Sequence, residues 1–296
     1  MKNNRLLLAA LILAGATQTT LAQDIVPQQS QAQSVSQQQQ AQVYLLPPQP
    51  NTYNEEASDD LEATVQCDFV SHYMWRGTDM GGISIQPTAS IGWRGLSLSF
   101  FGNTGLDKED AEEIDVTLGY ERDFGEFTLN AGLTDYWTSG MDYNKLDRYF
   151  FFEQAESAHQ LEANIGVTWN NISLQAYTMV WGNDFKYQNQ RDAEFRVNGK
   201  HAFSTFIELG YPFYAAGLDW DVKAGVTPFE SACTFNEDGV KEYYYADKTA
   251  WVMASVRATK NFELGDVKMP VFAELHTNPH TRQAHFLIGF SVIPFR

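Results

Sequence analysis

The chain has 296 residues, a formal net charge of −17, 14% aromatic residues and 21 glycines. This is enough length and apolar content for one large, turn-rich domain, and the acidity excludes a phosphate-neutralising partnership with nucleic acid. Two cysteines, Cys67 and Cys233, are too few for a disulfide framework; an oxidising compartment permits their pairing but the spacing does not predict it.

Met1 to Ala22 reads as a cleaved secretory signal. Lys2 and Arg5 give the charged start, Leu6 to Gly15 the apolar core and Thr20-Leu21-Ala22 the small-residue cleavage site. Cleavage removes two cations and takes the net charge from −17 to −19. Residues 23–60 are then expected to be a disordered periplasmic leader. The stretch holds Gln37 to Gln40 and Pro47, Pro48 and Pro50, with no Lys or Arg, a composition that cannot bury a core.

From Leu61 onward, apolar and polar residues alternate. Ala63, Val65, Cys67, Phe69, Tyr73 and Trp75 share one parity of the first segment, Leu61 to Arg76, while Glu62, Thr64, Gln66, Asp68, His72 and Arg76 share the other. One face suits lipid and the other water. After a turn at Gly77 to Gly82 come Ile83 to Trp93, the tight turn Arg94-Gly95, Leu96 to Asn103, an acidic loop, and Ile114 to Glu121. Phe127 to Trp137 follows, then a long loop, and Leu161 to Trp169 and Ile172 to Trp181 flank Asn170-Asn171, whose residues tolerate the positive φ of a two-residue hairpin. Ser204 to Phe213 and Leu218 to Phe229, then Trp251 to Thr259, Val267 to Leu275 and His285 to Val292, complete twelve segments.

The even count and the alternation of short and long links predict an all-β, transmembrane, antiparallel up-and-down β-barrel of about twelve strands over residues 61–296. Short links then face the periplasm and long ones the exterior. Trp93, Tyr120, Phe127, Trp169, Tyr211, Phe213 and Trp220 form one aromatic girdle, Trp75 and Trp137 belong to the other, and Trp181 and Trp251 point inward by parity. The competing architecture is a soluble β-sandwich. Pro87, Pro228 and Pro270 fall in or beside proposed strands, so bulges or shifted boundaries are expected there.

Two stretches, DFVSHYMWRGTDMGGISIQPTASIGW (Asp68 to Trp93) and EIDVTLGYERDFGEFTLNAGLTDYW (Glu113 to Trp137), resemble the Gcw_chp family of uncharacterised exported bacterial proteins. That resemblance implies a Gram-negative outer-membrane barrel, in which Trp75-Arg76-Gly77 stands where such proteins end their first strand; it supplies no catalytic or binding residue. The Ser71-His72-Tyr73-Met74 run and the Gln-rich leader depart from the family pattern. The closing segment resembles the aromatic-ended last strand that barrel assembly machinery recognises, with Arg296 added after Phe295. Outer-membrane lipid and lipopolysaccharide are the remaining expected partners.

Inward parity puts charges of both signs in the lumen. Asp68, His72, Arg76, Asp115, Glu162, Glu208, Arg257 and Glu274 are the candidate wall residues of a narrow channel for small hydrophilic solutes. Twelve strands lie between filled and porous barrels, so the alternative is a non-conducting structural or surface-interaction barrel with its lumen charges mutually neutralised. A remote third reading is an envelope lipid hydrolase built from His159, Asp135 and one of Ser139 and Ser157, although no Gly-x-Ser-x-Gly turn is present. No enzyme activity or cofactor is expected. His276 with His280, and the acidic stretch Asp107 to Glu113, are thin metal candidates without a closed ligand set.

Overall fold

The computed structural model describes residues 61–106, 112–139, 148–154, 157–236 and 238–295. The expected signal over 1–22, the leader of 23–60, the loop residues Asp107, Glu109 and Asp110, and the closing Arg296 lie outside them.

The elements, in chain order, are β1 (Glu62–Val70), β2 (Tyr73–Trp75), β3 (Thr78–Gly81), β4 (Ser84–Trp93), β5 (Leu96–Gly105), β6 (Glu113–Asp123), β7 (Phe127–Thr138), β8 (His159–Trp169) and β9 (Ile172–Gly182). They continue with β10 (Phe185–Lys186), α1 (Gln190–Glu194), β11 (Lys200–His201), β12 (Thr205–Ala215), β13 (Leu218–Thr227), β14 (Cys233–Phe235), β15 (Lys241–Tyr243), β16 (Ala250–Leu264), β17 (Val267–Asn278) and β18 (Gln283–Phe295).

Twelve of the strands close a single antiparallel barrel in the order β1-β18-β17-β16-β13-β12-β9-β8-β7-β6-β5-β4. Pairing of β1 with β18, from Phe69↔Phe290 to Val65↔Phe295, completes the circle and leaves no free sheet edge, which a sandwich would have. The other six short strands form three two-stranded sheets that are not part of the wall: β2–β3, β10–β11 and β14–β15.

Outward positions are apolar and exposed, among them Leu118, Leu133, Ile165, Leu174, Leu209 and Ile288. Inward positions on the same strands are polar and buried, such as Thr134, Asn164, Gln175, Ser255 and Ser291. A water-soluble protein inverts this pattern; a barrel in hydrocarbon requires it. At the short-turn end Trp93, Tyr120, Phe127, Trp169 and Tyr211 stand exposed on the outside, and Phe213 stacks on Trp220 with the rings 5° from parallel.

The two-residue turns follow from local chemistry. Arg94-Gly95, Asn170-Asn171 and Ala216-Gly217 close hairpins in which Arg94, Asn170 and Ala216 have φ of 50°, 51° and 55°. Those left-handed values match the strand twist in tight hairpins.

Three details depart from simple alternation. First, the wall strand ends at Val70 rather than Arg76; the chain leaves the wall, and residues 73–81 form the β2–β3 hairpin. Tyr73 and Trp75 are therefore packed inside, not against lipid: Tyr73 is buried, and Trp75 packs on the inner apolar cluster. Secondly, β-bulges in β9 and β16 shift the register between Leu161 and Glu162 and between Gly225 and Val226. Trp181 is thereby paired with outward Leu161 and Trp251 with outward Val226, so both residues face outward, contrary to the inward parity expected of them. Thirdly, Pro228 lies just beyond β13, while Pro87 and Pro270 sit within β4 and β17 without bulges. Each keeps one neighbour (Cys67 and Asn261) while pairing toward β5 or β18 lapses around it, which spares the missing N–H.

Inside, aromatic rings use the space over small residues. A Cβ on Gly225 would lie 2.2 Å from Cζ of Phe206, a ring with no exposed surface. Gly225→Val is therefore expected to destabilise the barrel by about 1–3 kcal/mol through overpacking, and Phe206→Leu in the same chain to recover part of it. Thermal unfolding of the refolded barrel, followed by the shift from compact to unfolded migration on a gel, measures both.

Candidate functional site

The β2–β3 hairpin is the centre of the lumen. Its tip is Arg76-Gly77, with φ of 47° and 86°, the same two-residue geometry as Arg94-Gly95, but here it points the turn inward. A Cβ on Gly77 would lie 1.9 Å from the Val252 carbonyl oxygen of β16, so only glycine allows this approach. The Gly77 N–H donates to Nε2 of His276 at 3.0 Å, and its carbonyl accepts from Nδ2 of Asn278 at 3.1 Å. With Nε2 accepting, the His276 proton sits on Nδ1, 2.8 Å from Oε1 of Glu274. Glu274 Oε2 in turn accepts from Nε of Arg257 at 2.7 Å. The hairpin is thus tied to β17 by a relay that ends in a half-buried ion pair.

Across the lumen, Arg76 forms a two-pronged ion pair with Glu162 of β8, at 2.5 and 2.8 Å. The side chains are 9% and 2% exposed, so the pair is almost wholly desolvated. Arg76 also donates to the Tyr245 hydroxyl at 2.9 Å and lies 4.0 Å over the Tyr177 ring and 4.6 Å over Trp75. Tyr136 donates to the same carboxylate at 3.0 Å. Tyr73 donates to Oε2 of Glu113 at 2.8 Å, fixing the hairpin to β6 as well. Every polar contact is charge-assisted or buried, the kind that holds a segment in one place.

The long connection between β13 and β16 adds a second layer. The Ser231 hydroxyl accepts from the N–H groups of Tyr245 and Ala246, which turns Tyr245 into the cluster of Tyr177, Phe206, Val252 and Met253 against Trp75. Ser204 Oγ accepts from Ala232, and Ser204 N–H donates to Asp184 at 3.0 Å, anchoring the loop. Burial pushes the Asp184 carboxyl up, opposed by the hydrogen bonds from Ser204. In the connection between β9 and β12 Asn189 caps α1 by accepting from the Asp192 N–H.

Beneath the hairpin lies a cavity of about 190 Å³. All eight residues expected in the wall border it. Asp68, Asp115, Glu162, Glu208, Arg257 and Glu274 project from wall strands, whereas His72 and Arg76 do not: both belong to the inward segment. Lys223 lies 3.4 Å from Glu208 and 3.7 Å from Asp221. Carboxylates outnumber cations along the lining. Asp115 Oδ1, Asn164 Nδ2 and Asp221 Oδ1 have no hydrogen-bond partner among the described residues, which marks the space as one for water or a polar solute.

Sequence reasoning missed Tyr73, Trp75, His276 and Tyr245 as contacts of the inward segment. The signal was present in Arg76-Gly77, which repeats the Arg-Gly of the tight turn at 94–95.

On the outer wall, His159 bonds Asp135 through Nδ1 at 2.8 Å and the Tyr149 carbonyl through Nε2 at 2.5 Å. It has no exposed surface, with the Tyr149 ring 5.1 Å and the Phe152 ring 4.4 Å from it. Ser157 Oγ accepts from the His159 backbone N–H and donates to the Phe151 carbonyl; Ser139 Oγ accepts from Glu112 N–H. Neither hydroxyl is engaged with the imidazole. Ser157 and His159 are neighbours through the backbone without forming a nucleophile–base pair. Cys67, in β1, and Cys233, in β14, are both free thiols. His276 and His280 are held apart in role, the first on Glu274 and Gly77, the second 3.7 Å from Asp247.

No protein-family profile matches the chain, and no curated protein does. Solved structures do show similarity. The outer membrane protein OpdK from Pseudomonas aeruginosa is 13% identical with a TM-score of 0.35, over 79% of this chain and 61% of that one. A BenF-like porin from Pseudomonas fluorescens Pf-5 is 8% identical with a TM-score of 0.31, over 76% and 58%. Outer membrane phospholipase A from Escherichia coli is 10% identical with a TM-score of 0.36, over 86% and 97%. The chain therefore spans about three-fifths of those two Pseudomonas proteins and nearly all of the phospholipase. At such identities and scores nothing about activity carries over to this chain; its own description is a closed twelve-stranded barrel with a hairpin folded into its lumen.

Proposed function

We propose that this chain is a Gram-negative outer-membrane barrel whose narrow channel for small hydrophilic solutes rests shut, with the β2–β3 hairpin as the closing element. The observation that carries the reading is the Arg76–Glu162 pair, which spans the lumen from the hairpin tip to the far wall with almost no exposure. The apolar exterior and aromatic girdle support lipid as the surrounding medium, with lipopolysaccharide and the barrel assembly machinery as proposed partners. The stretches at Asp68 to Trp93 and Glu113 to Trp137 support membership of the Gcw_chp-like family. Below the hairpin, the excess of carboxylates favours cations among the solutes that reach the cavity.

Planar-bilayer recording of the refolded barrel tests this. The intact protein is expected to be silent, and removal of residues 73–81 behind a short glycine link to give discrete, cation-preferring steps. Open steps in the intact protein would overturn the closed resting state. A shortened barrel that folds yet stays silent would leave the second reading, a non-conducting structural barrel, which the packing of Tyr244 edge-on and Tyr245 stacked against Trp75 favours.

A further inference from the structure

At the mouth of the lumen, His72, Asp79 and His285 bring one ligand atom each to within 4.8 Å of one another. Asp79 Oδ2 stands 3.0 Å from Nε2 of His72 and 3.7 Å from Nδ1 of His285, and the two imidazole rings are 5.4 Å apart. The geometry points to a binding site for a divalent transition-metal ion of the zinc class, and we propose that these three residues are its protein ligands.

The distances suit such an ion. Ligand bonds of about 2.0–2.1 Å around a tetrahedral centre set neighbouring ligand atoms about 3.3 Å apart, between the two distances to Asp79. The remaining imidazole–imidazole separation closes by ring rotation, for which both side chains have room: they are 34% and 23% exposed, and Asp79 37%. Asp79 is already oriented, since its Oδ1 accepts from the Gly81 N–H at 3.2 Å and leaves Oδ2 to the histidines. His285 is set in register on β18 by pairing with His276, whose own nitrogens are occupied by Gly77 and Glu274. Two imidazoles and one carboxylate select zinc, cobalt or nickel over magnesium and calcium, which take oxygen-rich shells. A fourth position remains open to water from the exterior.

The three ligands come from different pieces of the mouth. His72 precedes the hairpin, Asp79 is on β3, and His285 is on wall strand β18. A bound ion would fasten the hairpin to the wall beside the seam, which, resting on the reading of the hairpin as the closing element, makes it a clamp on the shut state.

Titration of the untagged, refolded full barrel with Co2+ and Zn2+ tests the site directly. Saturable uptake of one equivalent is expected, with visible Co2+ absorption of a four- or five-coordinate centre. His285→Gln and Asp79→Asn should each weaken binding at least about 100-fold, while His280→Gln leaves it unchanged. No uptake at about 1 mM, or uptake unchanged in both ligand variants, would overturn the proposal. The clamp has its own readout: Zn2+ should reduce the open probability of an Arg76→Ala barrel, and binding without that effect would remove the clamp. Steps in the intact, metal-free protein instead count against the closing hairpin and leave the binding result standing.

Discussion

Arg76→Ala should turn a silent barrel into a conducting one. The substitution removes the cation that faces Glu162, the donor to Tyr245 and the charge over the Tyr177 ring in one step. A carboxylate with 2% exposure is left without its cation, with the Tyr136 hydroxyl as its remaining donor among the described residues. Breaking a buried pair from one side costs about 3–5 kcal/mol. The hairpin has a less costly response than global unfolding, which is to leave the lumen and let water reach Glu162. Single-channel recording should show steps absent from the parent, and Glu162→Gln in the same chain should restore part of the closure by removing the stranded charge. An Arg76→Ala barrel that is folded and silent would refute the hairpin as the closing element.

Gly77→Ala should have an effect of similar size by a different route. The added methyl would lie 1.9 Å from the Val252 carbonyl oxygen, a backbone atom that cannot swing aside, and φ of 86° is strained for any residue with a Cβ. Seating is therefore lost together with the hydrogen bonds to His276 and Asn278. Limited proteolysis of the folded barrel should cut within residues 71–83 in Gly77→Ala and spare them in the parent. Gly92→Ala, whose nearest contact would be an ordinary 3.7 Å to the Leu96 carbonyl oxygen, should leave the pattern unchanged.

The wall was legible because two independent signals agree along it. Side-chain parity gives each strand its faces, and Asn170-Asn171 or Arg94-Gly95 fix where one strand must turn into the next. Lipid outside and water inside make a slip of one residue prohibitive, so the pattern is kept along the wall strands except beyond a bulge. The inward hairpin was not legible for the same physical reason. Val70, Ser71 and Met74 break the alternation, but Tyr73 and Trp75 resume its apolar parity because they suit an aromatic cluster rather than lipid, so the strand reads as continuing. A period of two reports that a segment is extended, not which sheet it joins. Trp181 and Trp251 escaped for a related reason: a bulge inserts one residue, reverses the parity beyond it, and leaves no compositional mark. Of the candidate wall residues, the six in wall strands follow from parity alone. His72 and Arg76 border the same cavity through a fold that parity does not encode.

The hairpin hangs from β1 by only Ser71 and His72, and β1 is one of the two strands that zip the barrel shut. In a sheet not yet closed, β1 and β17 lie near opposite ends of the strand order, so Gly77 and His276 belong to distant margins of a curling ribbon. The last strand pairing therefore delivers the stopper along with the seam. Closure of the cylinder and filling of its bore become a single assembly event, and a chain halted before it would display Glu162, Glu113 and His276 to water as a signature of incompleteness.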